Sequence, residues 1–205
     1  MDSAEKFRKI LDSKIPEPAI AYCEKIWVET PFAFHVTRER KTKLGDFRFR
    51  PDKKFQTITI NGNLNPYQFL LTFIHEVAHL RAFEDFGRNI KPHGPEWKKT
   101  FRSLISPLLN PSIFPQNILV PLRKHMQNPK ASSAGDIWLM KEMAKYDVDR
   151  DVEKSFLADL PLGSSFELSG RRFRKESVRR TRALCLELSS RRKFYVNLLA
   201  KVKPD

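Results

Sequence analysis

The chain reads as an α+β fold in which helices pack on a small antiparallel sheet, with a small basic β-rich module following it. Three observations carry that reading. The stretch from Pro66 to Phe86 is apolar over much of a helical circumference and has a start signal and a stop signal at its ends. Residues 32–61 alternate as short strands, and the tail consists of short alternating segments joined by Ser-, Gly- and Arg-rich turns. At 205 residues the chain is long enough for one large domain and a small one. The charged run Asp147 to Glu153 reads as a linker, which places domains at 1–150 and 151–205.

Residues 4–28 predict two helical pieces split by Pro16-Glu17-Pro18. Three strands follow in 32–61, with Gly45-Asp46 and Pro51-Asp52-Lys53 as turns. For the helix at about 66–86, Asn65 is the N-cap, Pro66 fits the first position and Gln68 stands where a capping box puts its acceptor. Gly87 can end it in the left-handed conformation. Phe69, Leu70, Phe73, Ile74, Val77, Leu80 and Phe86 make it a core helix. In Lys91 to Trp97, Gly94 lets the backbone bend and Pro95 starts a helix to Ser106 that carries Trp97, Phe101 and Leu104 inward. Prolines recurring from Pro107 to Pro129 hold helices there to short lengths. Asn128 to Gly135 reads as a loop and Ile137 to Tyr146 as a helix. Tail strands are expected at Ser165–Leu168, Arg182–Leu188, Phe194–Leu198 and Ala200–Val202, forming a small sheet or barrel.

The chemistry concentrates in His75-Glu76-Val77-Ala78-His79. On a helix, residues four apart stand roughly 6 Å apart along the axis, so both imidazoles can close on one ion. Glu76 lies about 100° round from His75, off the ligand line but within reach of a water at that ion, where a general base is needed. A catalytic zinc takes three protein ligands and keeps a fourth position open. Asp85, on an unbroken helix, is carried roughly 9 Å along the axis from His79, too far for a bond near 2 Å. Glu96 falls in the first turn of the next helix, where a carboxylate already faces the dipole. His93, in the rigid turn, is the best third ligand. His35 reads as an ordinary strand residue and His125 as a solvated helix residue, while Glu84 or Asp85 could orient a ligand histidine.

His75-Glu76-x-x-His79 followed by His93-Gly94-Pro95-Glu96-Trp97-Lys98 resembles the SprT-like metallopeptidase domain, the family of the DNA–protein crosslink protease Spartan. The stretch from Thr42-Lys43-Leu44-Gly45-Asp46 through Asn63-Leu64-Asn65-Pro66 is similar to the segment before the zinc helix in small bacterial SprT-like proteins. The resemblance covers approximately residues 15–125 and implies a zincin-like fold. It also implies one zinc held by His75, His79 and His93, Glu76 as catalytic base, and a protein substrate associated with or crosslinked to DNA.

The composition agrees with an intracellular enzyme. Met1 to Ser13 is charged and amphipathic rather than a signal peptide, and no apolar run is long enough to cross a bilayer, so a cytoplasmic location is expected. Cys23 and Cys185 are the only cysteines and read as free buried thiols, which leaves no cysteine-rich zinc ribbon of the Spartan kind. The net charge is +14, and from Gly163 onward twelve Lys and Arg face four acidic residues. Arg171, Arg172, Arg174, Arg179, Arg180, Arg182, Arg191 and Arg192, interleaved with Phe173, Phe194 and Tyr195, point to a nucleic-acid surface, DNA by the resemblance. Two other readings stay open: a zinc peptidase with no nucleic-acid role, and a non-enzymatic zinc-containing nucleic-acid-binding protein. In the peptidase readings, the strands at 32–61 offer an edge on which an extended substrate pairs.

Overall fold

The computed structural model describes residues 3–40, 43–130, 135–148 and 153–205. Thr42, much of the 128–135 loop, and the middle of the 147–153 linker with the 150/151 boundary lie outside the described residues. The chain divides into two compact units, Met1–Ala131 with Glu142–Asp147, and Ser132–Lys141 with Val148–Asp205. Of the three points at which the chain passes between them, the one between Lys141 and Glu142 falls inside a helix, Ile137–Ala144.

The first unit begins with α1 (Ser3–Lys14) and α2 (Ile20–Glu29), separated by a single 3-10 turn at Glu17–Ala19. Strands β1 (Ala33–Thr37), β2 (Gly45–Arg48) and β3 (Thr57–Asn61) form one sheet in the order β1-β3-β2. The sheet is mixed rather than antiparallel: β1 runs parallel to β3, from Ala33 opposite Thr57 to Thr37 opposite Asn61, and β2 runs antiparallel to β3. The reason is topological. Three strands joined by reversals alternate in direction, so the first and third point the same way, and here the third inserts between the other two. Gly45-Asp46, expected as a turn, opens β2 instead. The chain entering β2 is tied to the sheet by Asn61, which is 1% exposed. Asn61 accepts from Arg40 Nε at 2.7 Å and donates to the carbonyls of Arg40 and Lys43 at 3.2 and 3.0 Å.

Against this sheet lies α3 (Pro66–Phe86), buried on nearly every side. Asn65 caps it, accepting from the backbone N–H groups of Tyr67 and Gln68 at 3.2 and 3.0 Å. The Asn65 Nδ2 donates to the Met143 carbonyl and to Asp147, so this cap also anchors the chain from the end of α6 (Ile137–Ala144). Gly87 ends α3 with φ 79° and ψ −169°, a positive-φ extended conformation rather than the left-handed helical one expected. Rings of Phe7, Phe32, Phe34 and Phe73 meet with centroids 5.4–6.2 Å apart, joining α1, β1 and α3 in one core. Helix α4 (Pro95–Ile105) buries Trp97, Phe101 and Ile105, with Leu104 only half-buried. Helix α5 (Gln116–Gln127) runs straight through Pro121, further than the proline spacing suggested. Its apolar stripe of Ile118, Leu119, Leu122 and Met126 offsets the one ladder bond the missing N–H removes.

The second unit is a six-stranded sheet in the order β4-β9-β5-β6-β7-β8, comprising β4 (Ser155–Phe156), β5 (Ser165–Leu168), β6 (Arg171–Arg179), β7 (Arg182–Glu187), β8 (Lys193–Asn197) and β9 (Lys201–Pro204). Leu157, Phe166, Phe173, Ala183, Cys185, Leu198 and Val202 form its core. Strand β6 was not expected. Only Phe173 and Lys175 of it face inward, and a lysine at a core position hides the alternation. Lys175 is 3% exposed, and its Nζ donates to the carbonyls of Leu157 and Leu160 at 2.8 and 2.7 Å, so the buried ammonium is hydrogen-bonded. Among the described residues, no helix is long and apolar enough to cross a membrane.

Glu187 joins the second unit's strands by accepting from both Arg171 and Ser190. The Arg171 bond and then the Ser190 bond hold its carboxyl down at about 2, below the ordinary 4.5. A folded-state value below the unfolded one means the contribution is complete above about pH 4.5 and is lost as pH falls toward 2. Glu187→Gln is therefore expected to lower the thermal midpoint of the full chain at pH 7 and to narrow its difference from wild type as pH drops through that window. Calorimetric scans between pH 7 and 2.5 check this; an unchanged difference across the window contradicts it.

Candidate metal centre

Helix α3 sets His75 and His79 one turn apart on one face, and the turn before α4 brings His93 over them. The three Nε2 atoms lie 3.2 Å (75–79), 2.9 Å (79–93) and 3.2 Å (75–93) apart. Nitrogens bound to one tetrahedral zinc at about 2.0–2.1 Å stand roughly 3.3–3.4 Å from one another, so the triangle is close to the size the ion requires. Among the described residues these three are the one group of His, Cys, Asp or Glu whose ligand atoms converge this way. Burial, then the neighbouring His79, His93 and His125, pushes His75 down to about 3, and burial followed by His93 pushes His79 to about 4. His93 is likewise lowered by burial. Burial thus favours the neutral imidazole at all three positions, the form that donates a lone pair to a metal, and the residues fit a zinc ion.

His93 reaches this position by adopting φ 57°, a left-handed backbone that is uncommon outside glycine. Gly94, expected to supply the bend, has an ordinary φ of −72°. Its smallness is needed for a different reason: a Cβ there would stand 2.8 Å from the Lys91 carbonyl oxygen. Beneath the triad lies Trp97, fully buried, with ring centroids 4.7 Å from His75, 5.3 Å from His79 and 4.7 Å from His93. Phe101 stacks behind Trp97 at 4.8 Å. Asp85 and Glu96 do not join the ligand cluster.

Glu76 is 7% exposed and points toward β2. Burial raises its carboxyl to about 7, against the lowering effect of a hydrogen bond from the Phe47 backbone N–H. The approach of strand to carboxylate is so close that a Cβ at Gly45 would lie 2.6 Å from Glu76 Oε1 and 2.7 Å from Thr72 Cγ2. Only glycine fits there. The one sequence signal for it is a glycine at the start of an alternating run, which marks close approach of another group to a strand.

His35 is exposed on β1 and stands apart from the cluster, in line with the strand reading. His125 is not solvated: it is 5% exposed, on the buried stripe of α5 with Ile118 and Leu122, a pattern visible at their 4- and 3-residue spacing. In the second unit, Arg171 donates to Glu187 and lies over the rings of Phe173 and Phe194, Arg172 pairs with Asp205, and Arg174 stands 3.9 Å from Glu176. Arg179, Arg180, Arg182 and Arg191 have no ion pair among the described residues. Tyr195 is 57% exposed.

Residues 23–113 match the model of the SprT-like family, a span running from α2 past α4 that contains the whole His–Glu constellation. No curated protein and no solved structure matches the chain.

His93→Ala is expected to lose zinc on dialysis against a mild chelator, whereas Glu96→Ala retains it at the wild-type level. Elemental analysis after dialysis decides between them, and the reverse order would place the third ligand at the carboxylate.

Proposed function

We propose that the chain is a zinc-dependent endopeptidase of the SprT-like type, with a zincin-like catalytic unit, acting on DNA-associated or DNA-crosslinked proteins. The observation that carries the enzymatic part is the convergence of three histidine Nε2 atoms beside a buried glutamate that is not one of them. A purely structural site would close its fourth position with another protein ligand, and no such group joins the cluster among the described residues. When bound, zinc supplies Lewis-acid polarisation of a carbonyl and lowers the pKa of a water toward about 7.

The chain's own residues do the rest. His75, His79 and His93 present neutral nitrogens from two different elements, with Trp97 fixing the plane of each ring from below. Glu76 accepts a proton from the attacking water and returns it to the departing amine, an exchange worth about 10²–10⁴ in rate for a well-placed group. Leu44 accepts from the Asn61 N–H at 2.9 Å, so the alternation of an antiparallel pair turns the backbone groups of Gly45 and Phe47 away from β3. Gly45 lies so near Glu76 that a Cβ there would stand 2.6 Å from Oε1, which sets this strand beside the carboxylate. An extended polypeptide pairing along it is bound through its backbone, with little demand on most side chains.

Support for a nucleic-acid role comes from the second unit. The β6–β7 hairpin presents Arg179, Arg180 and Arg182, and Arg191 and Arg192 lie in the β7–β8 turn, with Tyr195 exposed on β8. Guanidinium groups without internal carboxylate partners suit phosphates, and an exposed ring beside them suits a base. Arg171, Arg172 and Arg174 contribute less, because internal carboxylates already engage them.

The decisive experiment incubates the zinc-loaded protein with a DNA-crosslinked protein, with and without competing free DNA. Glu76→Gln is expected to keep zinc and fold while cleavage falls by at least about 10²-fold, since an amide cannot accept the proton; undiminished cleavage removes the mechanism. Replacing Arg179, Arg180 and Arg182 together with Gln is expected to weaken DNA binding. It should also flatten a log–log salt dependence of about −0.7 to −0.9 per phosphate neutralised. Cleavage of an unstructured peptide stays near wild type. Equal DNA binding by the triple variant at low salt would return the tail to a solvated basic surface.

A further inference from the structure

Gly45 and Phe47 share one face of β2 by the two-residue period of a strand, and Phe49, just past the strand's end, continues that spacing and packs on the same Phe83 as Phe47. At one end of this row the bare Gly45 admits Glu76. At the other, Phe49 lies 4.4 Å and Phe47 6.1 Å, centroid to centroid, from Phe83. Phe83 follows His79 by four residues, one turn along the helix face that carries the ligands. All three rings are half-buried rather than enclosed, and the Arg88 guanidinium sits 4.3 Å over the Phe49 ring as an outer rim.

We propose that Phe47, Phe49 and Phe83 form a subsite that selects a large apolar side chain within two positions of the bond cleaved. This rests on the peptidase reading above and adds a specificity to it. An extended chain paired on the outer edge of β2 presents every second side chain to the face that these rings occupy. The side chain nearest the bond held at Glu76 meets aromatic carbon there instead of water. Removing apolar surface from water favours Leu, Ile, Met and Phe at that position, while a second cation would be set against Arg88. Side chains on the opposite face of the substrate point away and are not selected.

The test uses the zinc-loaded full chain and a peptide mixture prepared from unfolded proteins, with the new termini identified by mass spectrometry. Wild type is expected to enrich large apolar residues roughly ten-fold over alanine at one position within two of the cleaved bond. Phe49→Ala and Phe83→Ala flatten the enrichment at that position while zinc content stays at one per chain, a change that a mere packing defect would not produce. Phe47→Leu, which conserves apolar volume, serves if an alanine variant does not fold. Cleavage by wild type with no apolar preference near the bond overturns the subsite, as does an unaltered preference in the variants. Failure of wild type to cleave any peptide overturns the peptidase reading and the subsite with it.

Discussion

A helix buried on nearly every side has to satisfy every polar group it carries, and α3 carries two histidines and a glutamate. Unpaired polar groups in such a place cost several kcal/mol each by transfer estimates, about 2–7 for a neutral one. The surrounding elements are arranged around that need. His93 completes a ring of three nitrogens that one cation could satisfy together, and the Trp97 ring packs against all three. Strand β2 comes so close to the Glu76 side chain that position 45 demands glycine. Asn61, itself buried, holds the carbonyls of Arg40 and Lys43 on either side of the chain's approach to the strand.

The concessions to local rules gather at the same place. His93 takes a left-handed backbone conformation, at a cost of order 1–3 kcal/mol, in order to aim its ring at the other two. The buried Trp97 indole N–H has no hydrogen-bond partner among the described residues, although its ring contacts all three clustered histidines. A glycine opens a strand where a β-branched residue would pair better. Departures of this kind, clustered on one constellation in an otherwise regular unit, are what a site maintained for chemistry leaves behind.

The basic residues of the second unit fall into two populations. Lys175 faces inward and donates to two carbonyls, while Arg171, on the exposed side, pairs with Glu187. The hairpin arginines Arg179, Arg180 and Arg182 are exposed and have no ion pair among the described residues. A count of basic residues along the tail cannot separate these populations, because the distinction is which carboxylate lies within reach once the strands have paired.

The sequence alone determined what depends on short-range periodicity. The helix from Pro66 to Phe86, its Asn65 cap, the pairing of His75 with His79 and the nomination of His93 all follow from spacing and residue type, since a helix repeats every 3.6 residues and a cap acts within one turn. Tertiary structure decided the rest. The parallel pairing of β1 with β3, the use of Gly45 as clearance for Glu76, the burial of His125, the left-handed turn at His93 and the inward lysine of β6 were set by contacts between residues distant in sequence. Local pattern carried at most a hint of them, in the 4- and 3-residue spacing of Ile118, Leu122 and His125 and in a glycine opening an alternating run, because whether a side chain is buried, paired or crowded depends on what the fold brings against it.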